Sequence, residues 1–279
     1  MHTIPAVLPL GRRVASLAVL GDSTAVGLGD PLPRGGWRGF GPLLAEALGA
    51  PSELRYTNLS VVGARMADLR HQQLLGAVAA RPDAAVIMAG MNDTLRSDFD
   101  PILLGEDLDV TVAALRASGA IVLTTRFHDH GRVFRLPGPL CRALRHRIGQ
   151  LNGATDQVVA RRGALCLDLN LIPGACELAA WSVDRLHPSE LGHRMLARGF
   201  ADLLVGAGMV VPHPIELTCS GGRRLTAAHH AGWLICHGVP WLARRGRDLL
   251  PHAAGLMLQE LFGRSVAVPS RCGRQRCRG

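Results

Sequence analysis

SLAVLGDSTAVGLGDP, residues 16–31, is an apolar run that stops abruptly at Gly21-Asp22-Ser23 and then passes through Gly27 and Gly29. A near-continuous stretch of Leu, Ala and Val is what a parallel strand covered on both faces requires. Its ending allows three readings. It is a phosphate-cradling loop, a plain turn in which Asp22 bonds its own backbone, or a backbone bent to expose Ser23 as a nucleophile. The phosphate loop fails twice: Gly27-x-Gly29 lacks dinucleotide-binding spacing, and the chain has no lysine to complete a P-loop.

Four further apolar runs follow, at 54–59, 84–89, 119–125 and 164–169, and helix-like sequence lies near 40–49, 65–80, 102–118, 139–162 and 189–206. Leu104, Leu108, Val112 and Leu115 recur at the spacing of a helix buried on one face, with Gly119 as its stop. Strands alternating with helices of this length call for βαβ units in a doubly wound parallel sheet. Right-handed crossovers then bring every strand's C-terminal end to one rim, where ligands bind.

At 279 residues and 48% hydrophobic content the chain has ample material for one large core plus an appendage. The net charge of +9 is uneven: residues 1–204 hold 21 Arg against 19 acids, and residues 205–279 hold 10 Arg against 3. The expected division is a domain over 1–206 and a basic, apolar, partly helical extension over 207–279. The extension opens on Gly- and Pro-rich sequence, breaks at Pro240 and Pro251, and ends in about ten disordered residues. Its arginines beside Trp233 and Trp241 suit either an anionic membrane surface or packing on the main domain. They lie outside any recognisable nucleic-acid module, so no nucleic-acid partner is expected. The seven cysteines are odd in number, irregularly spaced and free of any C-x-x-C pair, which excludes a disulfide framework or a zinc finger and fits a reducing cytoplasm. The N-terminus makes a poor signal peptide, and no apolar run approaches the ~20 residues of a membrane span.

The rim collects chemistry from four separate places. The first strand delivers Ser23, the loop after the second offers Gly63, the third ends in Gly90-Met91-Asn92-Asp93, and Asp184 and His187 precede the last helix. Serine needs an adjacent base to take its proton. His187 can be that base, and Asp184, three residues earlier, can accept its other ring proton and fix the tautomer. The backbone N–H of Ser23, that of Gly63 and the side-chain amide of Asn92 are candidate oxyanion donors, with glycine at 63 leaving room for substrate. Each block alone has a plain reading: a turn at Asp22 or Asn92, a helix entry at Pro188. His128 and His130, flanking Asp129, have metal-like density without a further ligand cluster, so neither metal nor cofactor is expected. The loops 31–40 and 126–138 follow rim strands and are expected to wall the acyl or alcohol pocket through Trp37, Arg38 and Phe134; Phe40 serves there or in the core.

These blocks, in this order, resemble the SGNH (GDSL-type) hydrolases over residues 14–206, with Thr24 where the motif usually has leucine. The resemblance implies a flavodoxin-like three-layer α/β/α sandwich with a five-stranded parallel sheet. It implies hydrolysis of carboxylic esters or thioesters, small-molecule or lipid, through an acyl-serine. Ser23, Gly63, Asn92 and His187 then hold the four named positions, and Asp184 completes the triad. Acyl transfer by the same residues, or a non-catalytic binding module on the same fold, are the alternatives.

Overall fold

The computed structural model describes residues 11–133 and 138–220, with Pro251, Ala254 and Gly255 beyond them. The five apolar runs form one parallel sheet of β1 (Ser16–Gly21), β2 (Arg55–Asn58), β3 (Ala84–Met88), β4 (Ile121–Arg126) and β5 (Leu165–Asp168), in the order β2-β1-β3-β4-β5. This is the flavodoxin-like order of a doubly wound sheet. All six residues of β1 and all five of β3 are buried, which is why those runs are continuously apolar, whereas edge strand β2 keeps its Arg55 and Asn58 exposed.

Helices cover both faces. α1 (Phe40–Leu48) packs with α5 (Glu190–Gly206) on one side, where Phe40 and Phe200 meet at 5.4 Å between ring centroids. Phe40 is thus a core residue. On the other side lie α2 (66–79), α3 (Pro101–Ala117) and α4 (Gly138–Arg162). The α3 stripe of Leu104, Leu108, Val112 and Leu115 is buried. Its start is set by Asp100, which accepts the N–H groups of Ile102 and Leu103, and by Pro101 in the first turn.

α2 departs from the single helix expected over 65–80. It runs as Met66–Asp68, a π-helical stretch Leu69–Gln73, and Leu74–Ala79. The wider turn aims the Gln73 side chain into the sheet, where it is 2% exposed. The chain also stays on the domain beyond α5: Met209–Val210 pairs in parallel with Arg12–Arg13, and the His213 N–H donates to the Ala47 carbonyl. A pair of two-residue strands is too short to carry a hydrophobic period. The helices and disorder expected over 221–279 fall outside the described residues, apart from the three named above. Among the described residues no helix is long and apolar enough to cross a membrane.

Candidate active site

At the C-terminal end of β1 the chain turns directly into a one-turn helix, Ser23–Val26. Asp22 caps it by accepting the Thr24 N–H at 2.9 Å. Opposite, the loop before α5 is folded around Asp184: its Oδ1 accepts the N–H groups of Leu186 (2.8 Å) and His187 (3.0 Å) and the Ser182 hydroxyl (2.7 Å). Its Oδ2 lies 2.6 Å from His187 Nδ1, and His187 Nε2 lies 2.8 Å from Ser23 Oγ. Burial works to raise the Asp184 carboxyl, but its hydrogen bonds from the His187 ring and backbone and from Ser182 prevail and hold it below the usual carboxylate range. Gly29 makes the approach of the two loops possible. A Cβ there would fall 2.0 Å from the Pro188 carbonyl oxygen, so only glycine lets the residue after His187 come so close.

The three candidate oxyanion donors converge through Asn92. Its side-chain amide donates to the Ala64 carbonyl at 3.0 Å and, at a long 3.4 Å, to Asp22 Oδ2. Those acceptors are the chain neighbours of Gly63 and of Ser23, so the amide sits between the other two donors. Among the described residues neither the Ser23 nor the Gly63 N–H has a protein acceptor. Gly63 is also required for its backbone: φ is +80°, and a Cβ there would meet no protein atom within 4 Å but would stand in the open space beside the loop. Asp93 ties the same two loops together, accepting from the Met66 N–H (3.2 Å) and from Arg65 (3.3 Å). Burial pushes Asp22 and Asp93 each up to about 6, against the backbone N–H groups that each accepts.

The sequence reading missed Gln73. Its Oε1 accepts the Gly21 N–H at 2.8 Å and its Nε2 donates to the Gly21 carbonyl at 3.0 Å, while that carbonyl also accepts the Val61 N–H at 3.1 Å. One buried amide therefore grips the strand end that presents Ser23 and the loop that carries Gly63. The available signal was a polar residue on the stripe of Met66, Leu69 and Ala77. Asn152 of α4 does the same for β4, accepting the Phe127 N–H (2.9 Å) and donating to the Phe127 carbonyl (2.8 Å).

A cavity of about 60 Å³ is walled by residues that flank the Ser23–His187 pair along the chain, Thr24, Leu186 and Pro188, together with Met88, Met91 and Trp181. Loop 126–138 contributes Phe127, His128 and His130. Trp37 and Arg38, read as pocket walls, do not line it. Arg38 is drawn away into ion pairs with Asp30 (2.9 Å) and Glu190 (2.8 Å), and Trp37 is largely exposed beside it. Phe134 lies outside the described residues. Among the described residues no three His, Cys, Asp or Glu side chains cluster to hold a metal.

A family model of GDSL-like lipases and acylhydrolases matches residues 19–195, more than half of the chain. A GDSL-like esterase of Mycobacterium tuberculosis is 32% identical over 194 residues, which is 65% of this chain and 59% of that protein. The chain thus spans about three-fifths of that relative's length. An acetylxylan esterase of Geobacillus stearothermophilus is 28% identical over 56% of this chain and 75% of its own length. Among solved structures, an alpha/beta hydrolase from the metagenome of Lake Arreo, Spain, shares the fold with a TM-score of 0.55 at 24% identity, over 69% of this chain and 95% of that one. The matched segment contains Ser23, Gly63, Asn92, Asp184 and His187, and the chain belongs to the GDSL-like lipase/acylhydrolase family.

Proposed function

We propose that this protein is a serine esterase that hydrolyses short-chain carboxylic esters through an acyl-serine intermediate. The observation that carries the reading is the unbroken chain Ser23 Oγ–His187–Asp184, at 2.8 and 2.6 Å, beside an amide that bridges the neighbours of two unpaired backbone donors. Ser23 Oγ attacks the ester carbonyl carbon and gives its proton to His187 Nε2. Asp184 holds the Nδ1 proton and stabilises the imidazolium that forms. The carbonyl oxygen, now an anion, takes the N–H groups of Ser23 and Gly63 and the Asn92 amide proton that Asp22 engages only at 3.4 Å. Collapse breaks the bond to the alcohol oxygen, which leaves with the proton from His187. Water, deprotonated by the same ring, then attacks the acyl-serine; the acid departs and Ser23 regains its proton.

The cavity is the pocket for the acyl group, since its walls include Thr24, next to the nucleophile, and Leu186 and Pro188, on either side of the base. A cavity of roughly 150 Å³ admits benzene, so about 60 Å³ suits a chain of two to four carbons. The acetylxylan esterase relative agrees with a small acyl group. Ser23→Ala tests the reading: turnover of 4-nitrophenyl acetate and covalent labelling by a fluorophosphonate should both vanish. Activity retained in that variant would overturn it.

A further inference from the structure

The acyl cavity contains one group that its apolar walls leave unanswered. His128 is 1% exposed and lines the cavity together with Met88, Met91, Leu169, Ile172 and Trp181. Among the described residues neither of its ring nitrogens has a hydrogen-bond partner. Its neighbours are ring faces: His130 at 4.7 Å and Trp181 at 5.4 Å between centroids. The ring is held rigidly in place all the same. Asn152 grips the backbone of Phe127 on one side, and on the other Asp129 accepts the Gly131 N–H and pairs with Arg145. Burial pushes His128 down to about 4, so near neutral pH the ring offers one N–H donor and one lone pair. A buried polar group with no partner is costly, and natural proteins keep few of them. Here the ring is desolvated and forms part of the wall of the cavity that Thr24, Leu186 and Pro188 also line; its nitrogens are closed off from solvent, so a ligand hydroxyl reaches one only by widening that space.

We propose that His128 makes this pocket selective for short acyl groups carrying a hydroxyl, which can both donate to and accept from the ring, over the corresponding plain alkanoyl groups. The proposal rests on the esterase reading above and on the assignment of the cavity to the acyl side. It names the substrate class as esters of short hydroxy acids, such as 3-hydroxybutanoate. A plain butanoyl chain would leave His128 desolvated and unpaired, and a site built around a polar atom discriminates strongly against analogues that lack it.

The test compares ethyl 3-hydroxybutanoate with ethyl butanoate by pH-stat, using the full-length enzyme near pH 7.5. The ratio of kcat/KM should favour the hydroxy ester by about tenfold or more. In His128→Phe, which keeps an aromatic ring beside His130 and Trp181 without polar atoms, the ratio should fall below one. His128→Gln, which keeps a donor and an acceptor, should retain part of the preference. A wild-type ratio at or below one overturns the proposal whether or not the variants fold, because ordered water then suffices for His128; so does a preference that His128→Phe leaves unchanged. In both cases turnover of ethyl butanoate and its loss in Ser23→Ala leave the esterase reading standing. Absence of all ester turnover, without fluorophosphonate labelling, overturns both.

Discussion

His187 and His128 stand at the same edge of the sheet and are treated in opposite ways. His187 has each ring nitrogen committed, one to Asp184 and one to Ser23, and its side chain keeps some contact with solvent. His128 is almost wholly buried and committed to nothing. Under the proposed function the contrast separates two ways of building a functional residue. A catalytic base must be oriented before substrate arrives, so the protein supplies its partners. A recognition group must be left unanswered, so that only the right ligand answers it. The flanks are braced alike, by Gln73 at the end of β1 and Asn152 at the end of β4.

The largest effects belong on the catalytic flank. His187→Ala should lower kcat by roughly 10⁵–10⁶-fold, since removing the base from a triad costs nearly as much as removing the whole set. Asp184→Asn should cost about 10⁴-fold in kcat with the fold intact, because the amide favours the wrong ring tautomer. Circular dichroism and steady-state kinetics on both variants check this. If His128→Phe lost activity on ethyl butanoate as severely as His187→Ala, the division between the two histidines would collapse.

The two braces sharpen the comparison. In Gln73→Leu the Gly21 N–H loses the acceptor it has among the described residues and the carbonyl keeps the Val61 N–H; in Asn152→Leu both Phe127 groups lose the amide. Each change should destabilise the protein by about 2–4 kcal/mol, the cost of stranding buried polar groups, read as a shift in urea midpoint. Their kinetic effects should differ. Gln73→Leu loosens Ser23 and the Gly63 loop together and should depress kcat by about 10–100-fold, as a misaligned oxyanion donor does. Asn152→Leu should act chiefly on KM and on the ratio between hydroxy and plain esters. Equal kcat losses in both would mean that the braces serve only the fold.

These braces also mark where the sequence stops being readable. β1 and β3 were legible because a doubly covered parallel strand must be near-continuously apolar, and α3 was legible because its buried stripe recurs at helical spacing. Ser23, Asn92, Asp184 and His187 could be singled out because strand ends in this topology share a rim. Gln73 and Asn152 left a weaker trace: each is a polar residue that breaks the apolar pattern of its helix, and the π turn that redirects Gln73 leaves no mark in the spacing. The pair of Arg38 with Glu190 was unreadable for a related reason: the two lie 152 positions apart, and an ion pair at that separation has no local signature. His128 was noticed only as part of a metal-like cluster; that its ring would meet no polar atom depends on how three loops close around it.

The smallest effect is on stability, and it uses acid to probe the buried ring. Burial pushes His128 and His193 each down to about 4, and His130 well below its ordinary value. Their folded values thus lie below the unfolded value of about 6.5. Between pH 6.5 and 4 the unfolded chain binds protons that the native rings refuse, so these groups stabilise the protein above that window and cease to as pH falls through it. Asp22 and Asp93, pushed up to about 6, act in the opposite sense, because the native state keeps protons that the unfolded state has released. Net stability against pH therefore says little about any one group, but the difference between wild type and His128→Phe reports His128 together with its effect on the stacked His130. On going from pH 7 to pH 5 the variant should gain on wild type by about 2 kcal/mol, read as the change in the difference between their urea midpoints. A constant difference across that range would mean that His128 takes up its proton in the folded protein as readily as in water, and the cavity would then hold no desolvated ring for a hydroxyl to answer.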